Sequence, residues 1–404
     1  MSTPIQRKII IVGGGPTGLA TALHLARQLP ELVDELLVLE AAEHPRPKLC
    51  GGGVTFHGEE QLRQLGLSIN VPAFVVNKLV FRLGQRDFSV QVPQAMRIIE
   101  RQLFDAALAQ AVQARGITVH SNEKVLDIHP TPEGVGVCTS QGTYQAQVVV
   151  GADGANSVVR RKLNLKAEAG VARLLRVLTP VAPEIDGSWQ QQTAVFDFSC
   201  IQRGIQGYSW DFPCYIAGRP FMNRGIFDSR IAPNQAPKRP HGNLKQTFWE
   251  GLAARNVNLD DVQLEGHPVR WFNPQAEFAR PHVLLAGDAA GVDPLFAEGI
   301  SYGMEYGRIV AHQIKQAFSH NDFRFDQYKR ALQADQLGHL LRRRAFIAQH
   351  LFPYNQPRLY QLIWRLATIA PLALQQTFGA FFGLLPPRWE TAVSPSAPVK
   401  IGHG

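Results

Sequence analysis

Cysteine is scarce in this sequence of 404 residues: Cys50, Cys138, Cys200 and Cys214 are the full set, and no two stand close together. The absence of paired spacing excludes a thiol-built zinc site or a CxxC redox motif and fits a reducing compartment. Long apolar runs are missing too. The two longest stretches, LATIAPLAL and FGAFFGLLPPRW, are broken by Gln375, Gln376 and Thr377, and neither reaches the roughly 20 residues needed to span a bilayer. The first residues, MSTPIQRKIIIVGGG, run directly into a strand and a glycine turn, without the apolar core and cleavage site of a signal peptide, so a cytoplasmic protein is expected. Internal repeats are absent. Acidic residues are outnumbered, 33 against 41 Lys and Arg, leaving a formal charge of +8 that suits an acidic partner of some kind. No helix-turn-helix, zinc-finger or RNP motif accompanies that charge, so no nucleic-acid partner is expected.

What is present is a globular balance, 45% hydrophobic and 18% charged, in a chain long enough to bury cores in two or three domains. Lys8 to Val12 reads as a buried strand and Pro16 to Gln28 as a helix whose small residues Ala20, Ala22 and Ala26 allow close packing. Leu36 to Glu40 reads as the next strand, completing a right-handed βαβ unit. Strand-like VNKLVFRL and DFSVQV flank a Gly84-Gln85-Arg86 turn, and a helix is expected over Glu100 to Ala114. Four short strands then lead to Gly151-Ala152-Asp153-Gly154. Val171 to Trp271, rich in aromatics, Pro and Gly, suggests a β-rich layer. Val283 to Ala286 is another buried strand, Gly299 to Phe318 a helix, and the chain beyond it looks helical apart from a terminal SPSAPVKIGHG tail.

Gly13-x-Gly15-x-x-Gly18 directly follows a strand and opens a helix, the context in which this pattern marks a dinucleotide site. Gly13 allows the tight turn, Gly15 lets a pyrophosphate approach the backbone, and Gly18 brings helix against strand, while the helix N-terminus offers free N–H groups. Glu40, ending the second strand, is placed for the adenosine ribose hydroxyls. The fingerprint alone does not separate NAD from FAD, because both share the ADP half.

Two later segments do separate them. VVVGADGANSVVRR, from Val148, and VLLAGDAAG, from Val283, resemble the downstream signatures of the flavoproteins that include aromatic hydroxylases and geranylgeranyl reductases. PKLCGGGV, from Pro47, and YSWDFP, from Tyr208, resemble the Cys-Gly-Gly and Tyr-x-Trp-x-Phe-Pro elements of the FAD-dependent geranylgeranyl reductase family. Asn223-Arg224-Gly225-Ile226 and the Arg101/Asp105 pair fit the same family, and the likeness runs to about Arg308. It implies a Rossmann-type α/β FAD-binding domain with a β-rich substrate domain and a helical C-terminal region. It further implies FAD contacts at Gly13, Gly15, Gly18, Glu40, Arg101, Asp153, Asp288, Pro294, Gly299 and Ile300, with Asp288 on the ribityl chain. The implied reaction saturates isoprenoid double bonds, with NADPH or a ferredoxin as upstream donor. The sequence departs from the family at Ile205, at Cys214 and at Phe296-Ala297, where Pro, a basic residue and Thr-Gly are usual.

The domain limits expected are 1–170 for the first part of the FAD-binding domain, with 77–95 a candidate member of the substrate sheet, 171–271 for the substrate domain, 272–330 for the second part of the FAD-binding domain, and 331–404 for the helical region and its tail. A helix from Gly299 aimed at the flavin would favour negative charge on its reduced form. Tyr208, Trp210 and Phe212 alternate, so they share one face, either as plain core or as the wall of an apolar pocket. Saturating an alkene takes a proton as well as a hydride, and Cys50, beside three glycines, is a candidate donor, with His57 a weaker one. LLRRRAFIAQHLF, from Leu340, could lie on an anionic membrane and collect a lipid. The competing activity is an FAD monooxygenase acting on a ring or alkene; a carrier of electrons or lipid is a third reading. No second dinucleotide fingerprint offers NADPH a site of its own.

Overall fold

Ile9–Val12, Leu36–Leu39 and Val148–Val150 are apolar without alternation, the pattern of strands covered on both faces, and all are buried. In the computed structural model, which describes residues 3–167, 170–232, 241–352 and 357–369, they form the centre of a first sheet. Its order is Ala279–Arg280, Val283–Leu285, Thr143–Gly151, Ile5–Val12, Leu36–Leu39, Thr118–His120, and an antiparallel pair, Val125–Thr131 and Gly134–Thr139, attaches beside Thr143–Gly151. Ile5–Val12 runs parallel to both neighbours, with Ile9 opposite Leu36 and Val148. The helix Pro16–Gln28 connects the first two strands and packs against the long helix Ile300–His320. Close approach there depends on Gly307, where a Cβ would lie 2.7 Å from the Thr21 amide nitrogen.

The second sheet, with eight strands, is assembled from distant parts of the chain. Its order is Glu265–Arg270, Val171–Pro180, Arg219–Asp228, Gly207–Ile216, Thr193–Asp197, Ala73–Leu83, Arg86–Ile99, Gly53–Thr55. The hairpin Ala73–Leu83/Arg86–Ile99 therefore belongs to this sheet and turns at Gly84-Gln85. Its core contains Phe74, Phe81, Phe196, Phe198, Tyr208, Trp210 and Phe212, and the helix Leu244–Ala253 covers Val177 and Ile226 on the other side.

The C-terminal helices Gln336–Leu351 and Pro357–Ile369 lie against that aromatic core, where Ala348, Phe352, Tyr360 and Trp364 are buried and Trp364 Nε1 donates to the Phe81 carbonyl (3.1 Å). This changes the picture of LLRRRAFIAQHLF as a helix lying free on a membrane. Arg344 is wholly buried because one face of the helix is committed to packing, and Arg342, outside that face, donates to the Gln333 carbonyl. Phe346, on the opposite face, is exposed. Most of LATIAPLAL, all of FGAFFGLLPPRW and the terminal tail lie outside the described residues. Among the described residues no helix is long and apolar enough to cross a membrane.

Candidate active site

A cavity of about 510 Å³ is lined by both sheets and the loops that join them. At one end is the glycine turn. Gly13 has φ +108°, and a Cβ on it would come within 2.4 Å of the Ala152 carbonyl oxygen; one on Gly18 would meet the Gly13 oxygen at 1.9 Å. These two glycines are demanded by the fold itself. Gly15 is different: its backbone is extended, and the nearest atom to an added Cβ is Arg46 Nη2 at 3.9 Å, so the space beside it is open.

Glu40 sits beside this turn. Its Oε2 accepts from the Gly14 amide and from Arg46 Nη2, both at 2.9 Å, and its Oε1 from the Ala42 amide at 3.1 Å. A carboxylate has about four acceptor directions, so one is left for a further donor. Arg46 also approaches Asp105 (3.4 Å), which is gripped bidentately by Arg101 at 2.8 Å. Burial alone would lower the Arg101 pKa, but the Asp105 charge raises it above its usual value, so the guanidinium stays charged at the cavity wall. Asp153 accepts from the Val158 and Val159 amides through Oδ2 (2.6 and 3.2 Å), while its buried Oδ1 has no hydrogen-bond partner among the described residues.

In the middle, burial raises the Asp288 pKa, opposed by the charges of Lys48, Arg101 and Arg270. Lys48 Nζ lies 2.9 Å from His267 Nε2. Burial, then the charges of Lys48 and Arg101, pushes the His267 pKa down to about 4, so its ring is neutral and accepts from the lysine. Lys48 belongs to the PKLCGGGV element, but His267 carries no motif; only pairing between Val171–Pro180 and Glu265–Arg270, with Leu174 opposite His267, brings the histidine here.

At the other end Tyr208, Trp210 and Phe212 all line the cavity from one face of Gly207–Ile216. Trp210 Nε1 donates to Asn223 Oδ1 (3.1 Å), and Asn223 Nδ2 donates to the Cys50 carbonyl at 2.9 Å and the Gly51 carbonyl at 3.2 Å. Arg176 adds a bond to the Cys50 carbonyl (3.2 Å). The Cys-Gly-Gly loop is thus tied to the aromatic sheet. Space for the indole comes from Gly225, where a Cβ would lie 2.1 Å from the Trp210 ring. Cys50 lines the cavity and is partly exposed.

Beneath runs the segment Asp293–Ile300. Asp293 accepts from the Leu295 amide at 2.9 Å and the Phe296 amide at 3.1 Å, closing the turn. Arg344 is ion-paired with Asp293 and lies 3.3 Å from Glu298 Oε2; its guanidinium also faces the rings of Tyr302 (5.1 Å) and Phe296 (5.6 Å). Thr55 donates to Glu298 (2.6 Å) and Tyr208 to the Phe296 carbonyl (2.7 Å). Ala297 stands at φ +56°, in the left-handed region. Glu298, Gly299 and Ile300 reach the cavity.

The structure therefore brings Gly13, Gly15, Glu40, Arg101, Asp153, Asp288, Gly299, Ile300, Cys50, Tyr208 and Trp210 to one cavity. Gly18 and Pro294 do not line it: Gly18 packs helix on strand, and Pro294 is buried behind the segment. His57 is also absent from the lining. Its Nε2 pairs with Glu305 (2.7 Å) where the helix Phe56–Gln64 meets Ile300–His320. The sequence reading missed His267; Lys48, Asn223 and Arg344 entered it only as members of the segments PKLCGGGV, Asn223-Arg224-Gly225-Ile226 and LLRRRAFIAQHLF, none of them with a role of its own.

Residues 6–330 match the model of the FAD binding domain family. The chain belongs to that family. This FAD-binding oxidoreductase is similar to digeranylgeranylglycerophospholipid reductase 1 of Methanothermobacter thermautotrophicus, with 25% identity over 87% of the chain and 88% of the relative. It is also similar to menaquinone reductase of Mycolicibacterium smegmatis, at 27% over 75% of each. Its fold matches a geranylgeranyl bacteriochlorophyll reductase-like protein from Thermoplasma acidophilum (TM-score 0.72, 22% identity, 87% and 88% covered). It also matches p-nitrophenol 4-monooxygenase from Pseudomonas putida (TM-score 0.68, 17% identity, 94% and 99% covered). The family resemblance first read from the motifs to geranylgeranyl reductases is thus matched by relatives of that kind.

Proposed function

We propose that this enzyme reduces carbon–carbon double bonds of an isoprenoid or similarly apolar lipid. The observation that carries the reading is the single cavity that joins the dinucleotide turn to a one-faced aromatic wall. When bound, FAD supplies the hydride chemistry. The residues present fit the cofactor: the open flank of Gly15 and the unpartnered buried Oδ1 of Asp153 are features that an unliganded structural turn does not require. Gly13 and Gly15 hold the pyrophosphate, Glu40 the ribose, and Arg101, Asp153 and Asp288 the chain toward the ring, with Gly299 and Ile300 presenting the helix N-terminus.

Tyr208, Trp210 and Phe212 hold the apolar chain and exclude water. Cys50 Sγ holds the proton that the second alkene carbon receives; its loop cannot withdraw while Asn223 and Arg176 grip the Cys50 carbonyl. NADPH or a ferredoxin supplies electrons. Leu362 and Leu366, 52% and 51% exposed and four residues apart on one helix face, together with Phe346 at 61%, support collection of lipid at a membrane surface.

The test is anaerobic. The flavin is reduced, geranylgeranyl diphosphate or a geranylgeranyl lipid is added, and flavin oxidation is followed while the product is weighed. Oxidation with a gain of two hydrogens per bond is expected. No oxidation until O2 enters, with a product heavier by one oxygen, would establish the monooxygenase instead. A C50A variant that turns over at the wild-type rate would remove Cys50 as donor and leave the reductase standing.

A further inference from the structure

Phe296 occupies an unusual position. It belongs to the segment that faces the cofactor end of the cavity, yet its ring reaches across to the second sheet, 5.8 Å from Tyr208, 6.0 Å from Phe196 and 6.4 Å from Phe198, centroid to centroid. Phe196, Tyr208 and Phe296 line the cavity; Phe198 does not. Beyond Phe198 the aromatics continue without a gap, Trp364 at 5.5 Å and then Phe88 at 5.4 Å from Trp364. Phe296 is thus one of three cavity-lining rings, with Phe196 and Tyr208, that back onto a solid aromatic block, and the one of the three contributed by the Asp293–Ile300 segment. That block ends in the helix Pro357–Ile369, whose outer face carries Leu362 and Leu366.

The residue is also held at its backbone and faced at its ring. Tyr208 donates to the Phe296 carbonyl, Asp293 accepts from the Phe296 amide, and the buried Arg344 guanidinium lies over the ring. A side chain free to swing would yield to a longer ligand; this one starts from a backbone fixed at amide and carbonyl, and its ring is packed against the Arg344 guanidinium and the rings of Phe196, Phe198 and Tyr208.

From this geometry we infer that Phe296 is a specificity-determining residue, the end wall that sets how much isoprenoid chain fits beyond the reacting bond. The inference rests on the isoprenoid reading above. Shortening the side chain opens the cavity toward Phe198 and Trp364, so longer chains gain relative to shorter ones. Cys50, Trp210 and the dinucleotide turn are untouched by the change.

The experiment compares wild type, F296A and F296L, each checked for FAD content and thermal melting, on geranyl, farnesyl and geranylgeranyl diphosphates. Two quantities are read for each substrate: the dissociation constant, from the perturbation of the oxidised flavin spectrum, and kcat/KM under anaerobic turnover. The expected result is that the ratio of geranylgeranyl to geranyl rises at least tenfold in F296A, in both binding and kcat/KM, and by less in F296L, which retains most of the bulk. If the three substrates bind and the ratio is the same in all three proteins, the end-wall assignment is overturned and the reductase reading stands. If no isoprenoid perturbs the wild-type flavin, the isoprenoid reading falls and the assignment with it.

Discussion

Two buried ion networks border the cavity, and they differ in charge and in access. Near the dinucleotide turn, Glu40, Arg46, Asp105 and Arg101 alternate in sign and cancel, and three of the four line the cavity. Under Asp293–Ile300, one arginine faces two carboxylates, and Arg344 and Asp293 are sealed from solvent, with Glu298 alone at the cavity wall. The first network presents hydrogen-bonding groups to a ligand. The second is scaffolding: it converts the C-terminal helix into a support for the segment that the cofactor would face. Burial raises the Asp293 pKa even against the Arg344 charge, so this segment is held together at a cost in solvation; in the first network the buried Arg101 bears such a cost too, but there the Asp105 charge prevails and raises its pKa.

The comparison breaks most readily at Arg344. R344M leaves buried carboxylates without their cation and should cost about 3–5 kcal/mol, read by denaturant unfolding of the holoenzyme. A loss below about 1 kcal/mol would mean that the second network is no scaffold. Next comes Gly15, where the fold tolerates a side chain and a ligand would not. G15V should keep the unfolding midpoint of the apoprotein while weakening FAD at least about tenfold, equivalent to about 1.4 kcal/mol; normal yellow colour after purification would overturn the cofactor assignment.

A smaller effect is expected at His57 and Glu305, which pair between two helices within electrostatic reach of Glu298 and Arg344. Burial by itself lowers the His57 pKa, but the hydrogen bond and charge of Glu305 prevail and raise it above its ordinary 6.5. The folded state therefore binds the proton more tightly, and the pair stabilises fully below pH 6.5 and loses that contribution as pH rises through the native value. Wild type should exceed E305Q by about 1 kcal/mol in mildly acidic buffer, and the gap should narrow on raising the pH. A gap that widens with pH would contradict the pairing. The smallest change is A297G: relief of the left-handed backbone, offset by the entropy of glycine, should stabilise by at most about 1 kcal/mol, seen as a slightly higher melting temperature.

Legibility from sequence followed locality. The glycine turn, its helix Pro16–Gln28 and the strand before it were readable because each signal lies within about twenty residues: an unbroken apolar run, three spaced glycines, and the small residues Ala20, Ala22 and Ala26 in the helix. The alternation of Tyr208, Trp210 and Phe212 likewise predicted one face, though not whether that face lined a core or a pocket. His57 misled because its chemistry is general and its partner is 248 residues away. Arg344 misled because three consecutive arginines look like a solvated stripe, and helical geometry then sends one of them inward.

The sequence by itself determined the cofactor fold, since a phosphate-binding turn is built from backbone conformation that a few adjacent residues impose. The tertiary structure alone decided which face of the second sheet met that turn and how far the resulting space extended. Both depend on strands far apart in the chain, from Gly53–Thr55 to Glu265–Arg270, and on Asn223, His267, Arg344 and Phe296, whose contacts span tens to hundreds of residues and leave no periodic trace.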